Sequence, residues 1–170
     1  MGTTESVPKI HPIPKFLSEN QTGTWITEQP ITGFKLITCK CKKYGGLFTE
    51  QVTVPITAQV TVPKGSSVVR SYKLPSTMLI KWPYMTKQER EPNNALKTDE
   101  YKIDKIFIDS SGITPIECYS TYKPTLKYKE GQIYKESALD KNIQNVATEG
   151  LYFYLTRYEA ESNLFRGIGR

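Results

Sequence analysis

Alternating apolar and polar positions dominate the middle of the chain, and this pattern predicts strands. Residues 34–41 are rich in β-forming side chains, and a Gly45-Gly46 pair marks a turn after them. The string Val-Thr-Val-Pro then occurs twice, at residues 52–55 and 60–63. Because proline lacks the N–H that a ladder needs, we expect each proline to end a strand or to lie at a sheet edge.

The second half of the chain continues the strand pattern and ends in a short helix. Thr156 can cap this helix, and Glu159 three residues later completes a capping box. The strand-like runs, including a hairpin-like stretch over 126–134, cover residues 68–74, 78–82, 101–109, 115–120, 126–134 and 150–155. We therefore predict a mainly β (α+β) fold: a compact antiparallel domain with one short C-terminal helix and an extended N-terminal tail.

The pattern divides the chain into a tail, one domain and a short C-terminal tail. Residues 1–29 carry several prolines and many polar side chains, which favours an extended tail. Trp25 and Ile26 can begin an edge strand within it. We predict a single β-rich domain over residues 30–165 and a C-terminal tail over residues 166–170.

The length and composition of the chain argue against a helical bundle and against a membrane-spanning helix. The chain has 170 residues, and its 11 prolines and 11 glycines disfavour a helical bundle. No apolar run approaches the roughly 20 residues of a membrane span. The N-terminus has no signal-peptide pattern, although Gly2 and Ser6 match a myristoylation motif, which leaves that modification open.

The positive charge of the chain is unevenly distributed. The net charge is +6, and residues 64–90 hold six cations and one anion. This stretch is a candidate nucleic-acid patch, but a solvated face of a basic domain is the favoured interpretation. The candidate patch consists of Lys64, Arg70, Lys73, Lys81, Lys87 and Arg90.

The motif search favours no catalytic or metal site. The single histidine, His11, lies in the tail, so neither a serine nor a cysteine nucleophile has a base beside it. Neither a P-loop nor a dinucleotide fingerprint occurs. The three cysteines are an odd number, which predicts reduced thiols in a cytosolic or virion setting. We expect no catalytic residue, metal or cofactor.

The chain contains 11 tyrosines, most of them in its last third. Tyrosine suits half-buried sheet faces, protein interfaces and stacking on bases. Sheet packing is favoured for most of them, while an interface role for a subset stays open.

Three short patterns near the C-terminus carry a family resemblance. They read Tyr119-Ser-x-Tyr122, then Tyr128-x-x-Gly131, then Gly150-Leu-Tyr-Phe-x-x-Thr-Arg157-x-Glu-Ala. This run resembles a small, poorly characterised domain of large DNA viruses and phages that is often found beside pentapeptide repeats. The resemblance covers about residues 31–162, and Tyr152 stands where that family usually has histidine. Its candidate ligand or partner surface is Tyr119, Tyr122, Tyr128, Gly131, Gly150, Tyr152 and Arg157.

Three functions remain open on this basis. The favoured one is a non-enzymatic structural protein of a large DNA virus, such as a minor virion component that docks on other viral or host proteins. Strand addition at an exposed sheet edge is one mode for such docking. The residues around Gly150 are also similar to ADP-ribosyltransferases, which implies an NAD-binding enzyme or a degenerate nucleotide binder. A basic nucleic-acid-binding module on residues 64–90 is the third hypothesis. We expect the protein in the virion or the host-cell cytoplasm.

Overall fold

The computed structural model describes residues 21–72, 92–109, 112–121, 123–143 and 149–162. These ranges form ten strands and one short helix, and the predicted antiparallel β-rich fold is confirmed. The strands are β1 (Gly23–Ile26), β2 (Ile31–Gly45), β3 (Phe48–Val62), β4 (Ser67–Arg70), β5 (Leu96–Thr98), β6 (Glu100–Ile106), β7 (Ile113–Tyr119), β8 (Lys127–Tyr128), β9 (Ile133–Lys135) and β10 (Leu151–Phe153), and the helix is α1 (Arg157–Ser162).

The strands form two sheets with an apolar core between them. The small sheet has the strand order β1-β4-β5-β10, and the large sheet has the order β8-β7-β2-β3-β6-β9. Val68 and Leu96 of the small sheet pack in one cluster with Ile37 and Val60 of the large sheet. The sheets also join directly, because the N–H groups of Phe34 and Tyr154 donate to each other's carbonyl oxygens at 2.8 and 2.7 Å.

A long hairpin of β2 and β3 is the backbone of the large sheet. The two strands stay in register over 15 residue pairs, from Ile31 opposite Val62 to Gly45 opposite Phe48. Buried positions alternate along β2 from Ile31 to Cys41, as the predicted strand over residues 34–41 requires. The hairpin therefore holds one face against the core over most of its length.

Of the two places expected for Pro55, the sheet edge is confirmed and the strand end is not. β3 continues through Pro55, which lies opposite Thr38 of β2. The neighbouring strand β6 pairs with β3 only from Ala58 to Thr61. Pro55 thus lies where one side of β3 has no strand partner among the described residues, and the missing N–H breaks no ladder there.

The hairpin-like stretch predicted over residues 126–134 is wrong, because its two strands do not pair with each other. β8 pairs with β7 and β9 pairs with β6, which places the two strands at opposite edges of the large sheet. The short connection of residues 129–132 nevertheless joins them. The Tyr134 hydroxyl accepts from Lys129 N–H at 3.0 Å and donates to the Lys127 carbonyl at 2.7 Å. The large sheet must therefore curl until its two edges meet.

The cysteines differ from the expectation of reduced thiols. Cys39 of β2 lies directly opposite Cys118 of β7, and the two form a disulfide. Cys41 is free and buried, and burial raises the pKa of its thiol. An odd count excluded a fully closed framework, but it said nothing against one bridge between neighbouring strands.

The two ends of the described chain attach to the sheets. β1 pairs with β4 at the edge of the small sheet, so the predicted edge strand at Trp25 and Ile26 is confirmed inside the predicted tail. The other domain boundaries stay predictions. The predicted cap of α1 is present, because the Thr156 hydroxyl accepts from Glu159 N–H at 3.1 Å. Within the described residues, no helix has the length and apolar character that crossing a membrane requires.

Close packing at the junction of the two sheets gives a test of the fold. A Cβ added at Gly33 would lie 2.4 Å from Cδ2 of Phe153 and 3.0 Å from the Tyr154 carbonyl oxygen. We expect Gly33→Ala to lower the free energy of unfolding by about 1–3 kcal/mol through overpacking. Denaturant unfolding measures this loss. Gly45→Ala is the matched control, since nothing lies within 4 Å of its added Cβ. Equal stability of the two variants would contradict this packing.

Candidate functional site

A cavity of about 280 Å³ lies beside β2, β8 and β10. Its lining combines apolar side chains with titratable groups of both signs. We call it the lysine cavity, and it is lined by Lys35, Ser120, Lys123, Leu126, Tyr128, Glu136, Glu149, Gly150, Leu151 and Tyr152. The volume is at the lower end of the range of small-molecule sites, which suits a small molecule better than a dinucleotide.

Lys35 places a cation in the protein interior. Its position on β2 falls on the buried face with Gly33 and Ile37, and the residue is only 4% exposed. Its Nζ donates to the hydroxyls of Tyr101 at 2.9 Å and Tyr128 at 3.0 Å. Nζ also lies 5.3 and 5.0 Å from the centres of the same two rings. Two tyrosine hydroxyls therefore hold this ammonium group by hydrogen bonds.

Carboxylates do not neutralise this cation directly. Across the described ranges, none lies within the 4.0 Å that defines an ion pair with Lys35. The two acids of the lining stand farther out, since Glu149 is exposed and Glu136 is half-buried. Glu136 also accepts from Ala138 N–H at 3.0 Å, within its own turn. The inner part of the lysine cavity is thus positive and the outer part is mixed.

The pKa values of the two tyrosines that bind Lys35 are shifted in opposite directions. Burial and the neighbouring Tyr128 raise the pKa of Tyr101 well above its usual value. Burial would also raise the pKa of Tyr128, but the Lys35 charge and hydrogen bonds from Lys35, Tyr101 and Ser120 together lower it. Tyr128 is therefore the phenol that releases a proton more readily, and a phenolate there would offset the lysine charge.

Three of the predicted surface residues meet at this cavity. Tyr128, Gly150 and Tyr152 line it together. Gly150 has a φ of 155°, and an added Cβ would lie 2.9 Å from Leu139 and 3.0 Å from Lys97. A side chain at position 150 is therefore excluded by close packing. Tyr152 is buried against Ala95 on the opposite side of β10 from Leu151.

The remaining predicted surface residues lie elsewhere. Tyr119 contacts Lys127, whose Nζ is 5.3 Å from the ring centre, on the outside of the large sheet. Gly131 forms the turn between β8 and β9 with a φ of 84°. Arg157 stacks on Phe107 at 4.5 Å beside α1. Tyr119, Gly131 and Arg157 therefore do not line the cavity, and Tyr122 is outside the described residues.

Arg157 holds α1 against the large sheet. It donates to Asp109 and, at 2.7 Å, to Glu161 on the next turn of the helix. Glu161 also accepts from the Thr57 hydroxyl of β3 at 2.5 Å. These contacts raise the pKa of Arg157 and lower that of Glu161, mainly through hydrogen bonds. Arg157 therefore stabilises the position of α1, a role that the family resemblance does not indicate.

Lys35 and Tyr101 are absent from the sequence-based candidates. The sequence does indicate that Lys35 lies on the inward face of its strand. Strict alternation along residues 34–41 puts it on the same face as Ile37 and Cys39. A lysine at an inward position of a half-buried strand needs partners. Nothing in the sequence identifies those partners as Tyr101 and Tyr128, since they come from strands far along the chain.

Arg70 is buried and therefore does not belong to an exposed basic patch. This residue is 3% exposed, and its guanidinium donates to the Asn93 carbonyl at 2.6 Å. Burial lowers the pKa of Arg70, with a smaller opposing effect from Glu159. Lys64 is exposed as expected. The other four members, which lie outside the described residues, are Lys73, Lys81, Lys87 and Arg90.

A second surface lies along β3, beyond the end of β6. Residues 48–56 pair with β2 on one side, and no described strand covers the other side. We call this side the β3 edge. A groove of about 390 Å³ runs beside it, lined mainly by the apolar residues Leu36, Val54, Pro55, Ile56, Phe107, Ile108 and Ile113.

The hairpin between β2 and β3 ends in exposed apolar side chains. Leu47 is 96% exposed, Phe48 80% and Tyr44 56%. We call these three residues the hairpin tip. Turns ordinarily carry polar residues, so an exposed leucine beside an exposed phenylalanine is unusual at the apex of a hairpin.

Comparison with known proteins places the chain in a family. It belongs to a family of unknown function, DUF5758, whose model matches residues 28–160. It is also similar to an uncharacterized protein, L223, of Acanthamoeba polyphaga mimivirus, at 26% identity over 157 residues. That match covers 86% of this chain and 91% of the relative. No solved structure matches.

The predicted resemblance to a poorly characterised viral domain is confirmed at this level. The association with pentapeptide repeats and the similarity to ADP-ribosyltransferases are not shown by these comparisons.

The lysine cavity predicts an unusual tyrosine titration. We expect a tyrosinate signal in the ultraviolet spectrum below the ordinary pKa of about 10, because Lys35 stabilises the Tyr128 phenolate. Tyr128→Phe should remove this first step, and Lys35→Met should move it to higher pH. Tyr119→Phe, on the outside of the sheet, serves as the control and should retain it. Superimposable titrations of the wild type and Tyr128→Phe would contradict the assignment.

Proposed function

We propose that this chain is a non-enzymatic interaction protein of a large DNA virus, which docks on other viral or host proteins by accepting an extended segment at the β3 edge. Membership of the family and the similarity to a mimivirus protein support the viral part of the proposal. The observation that carries the docking part is the length of β3 that lacks a strand partner among the described residues.

Backbone groups along this edge are arranged to receive a strand. The Thr57 carbonyl accepts from Phe107 N–H at 2.9 Å, so residue 57 directs its backbone groups away from β2. By strand alternation, residues 49, 51 and 53 direct their N–H and carbonyl groups to the same side. Pro55 offers only its carbonyl there. An added strand would therefore meet three donors in a row, which is the basis of recognition by strand addition.

The groove and the hairpin tip supply the apolar part of the interaction. Alternate side chains of an added strand would enter the groove beside Val54 and Ile56. Leu47 and Phe48 extend the apolar surface to the end of the hairpin. Natural proteins usually blunt such edges with charge or proline, and here Pro55 removes just one donor. The partner segment is thus expected to be extended and apolar at every second position.

The two alternative functions have weaker support. The lysine cavity beside Tyr152 has a volume of about 280 Å³, which suits a small molecule better than NAD. Burial of Arg70 removes one member of the candidate nucleic-acid patch. Both functions stay predictions.

A designed peptide tests the docking mode. The probe is a soluble peptide of alternating threonine and valine with lysines at both ends, and its binding is measured by fluorescence anisotropy. Thr53→Pro removes one donor from the β3 edge without removing a bond to β2. We expect it to weaken binding about fivefold or more, because a net hydrogen bond is worth about 1 kcal/mol.

Thr53→Val is the matched control, since it keeps the N–H and the strand propensity, and it should bind as the wild type does. Equal binding by Thr53→Pro would exclude the β3 edge. Sedimentation of the free protein supplies a further check. Dimers that Thr53→Pro abolishes would assign the edge to self-association and would contradict docking on other proteins.

A further inference from the structure

The ammonium group of Lys35 has more hydrogen-bonding capacity than its neighbours use. A lysine carries three N–H donors, and Tyr101 and Tyr128 accept two of them. Within the described part of the chain no third acceptor is found for Nζ. Burying a cation without an anionic partner is unfavourable, because the cation loses its hydration. The lysine cavity next to this group is therefore a place where an anion would be stabilised.

The groups around Lys35 suit one small anion. Tyr128 lines the same cavity, and its hydroxyl can donate to an anionic oxygen while it accepts from Lys35. Leu126 and Leu151 add an apolar wall. Such a combination of one charge, a few polar groups and apolar walls is typical of small-molecule sites.

The outer lining restricts the charge of the ligand. Glu136 and Glu149 repel a second negative charge near the entrance, while the exposed Lys123 favours the approach of a single one. A monoanion with an apolar body fits this pattern better than inorganic phosphate does.

We propose that the lysine cavity binds a small organic monocarboxylate, whose carboxylate pairs with the Lys35 ammonium group. The proposal is independent of docking at the β3 edge, because the two surfaces share no lining residue. It also gives a role to the lysine at an inward position of β2, where an apolar residue would pack at lower cost.

Nuclear magnetic resonance of the full chain tests the proposal, with propionate as the probe. We expect saturable shifts of the Lys35 and Tyr128 side-chain signals, with a dissociation constant in the millimolar range. Lys35→Met should weaken binding at least about tenfold, as expected for loss of a charge-assisted hydrogen bond. Lys64→Met, at an exposed lysine, is the control and should bind normally. Unchanged binding by Lys35→Met would overturn the proposal.

A second readout needs no variant. A bound carboxylate offsets the Lys35 charge, so saturating propionate should move the first tyrosinate step of the wild type to higher pH. Inorganic phosphate at matched ionic strength should have little effect. If propionate leaves the pH of the first tyrosinate step of the wild type unchanged, the proposal is overturned. This test holds even if Lys35→Met does not fold. Equal effects of phosphate and propionate would overturn the assignment to a carboxylate.

Discussion

The buried ammonium group of Lys35 is the constraint on which the shape of the large sheet depends. Its two hydroxyl partners come from β6 and β8, which lie on opposite sides of β2 in the strand order. The hydroxyls of Tyr101 and Tyr128 are 3.4 Å apart. A flat sheet cannot bring these strands to one atom, so the sheet must curl around the lysine. The disulfide between β2 and β7 joins two strands within the same curl.

The two ends of the long hairpin consequently differ. Near Lys35 the curl brings β8 and β9 together, and the connection through Gly131 closes the sheet by donating to the Ile103 carbonyl at 2.6 Å. Toward residues 45–48 the hairpin runs past β6 and leaves β3 without a partner on one side among the described residues. One end therefore encloses a polar cavity, and the other presents an edge, a groove and apolar side chains. This division leaves one small domain with a cavity at one end of the hairpin and an apolar groove at the other.

Local patterns in the sequence are enough to predict the elements but not their pairing. Alternation identifies β2, and the spacing of Thr156 and Glu159 identifies the start of α1. The sequence leaves two places open for Pro55, a strand end or a sheet edge, and the choice depends on how far β6 reaches along β3. The place of Tyr128 cannot be predicted either, since it depends on β8 pairing with β7 instead of with β9. The candidate site is accordingly predicted in part, with Tyr128, Gly150 and Tyr152 present and Lys35 missing.

The curl of the large sheet rests on a charged lysine that two tyrosines hold in the interior. Nitrogen-detected magnetic resonance of the lysine ammonium groups tests it most directly, with Lys35→Met used to assign the signal. We expect a Lys35 ammonium signal that is visible at room temperature, because burial slows proton exchange. Its protons should show contacts to the rings of Tyr101 and Tyr128. A Lys35 ammonium group that exchanges as fast as those of exposed lysines, or one without contacts to these rings, would show that the two tyrosines do not hold it.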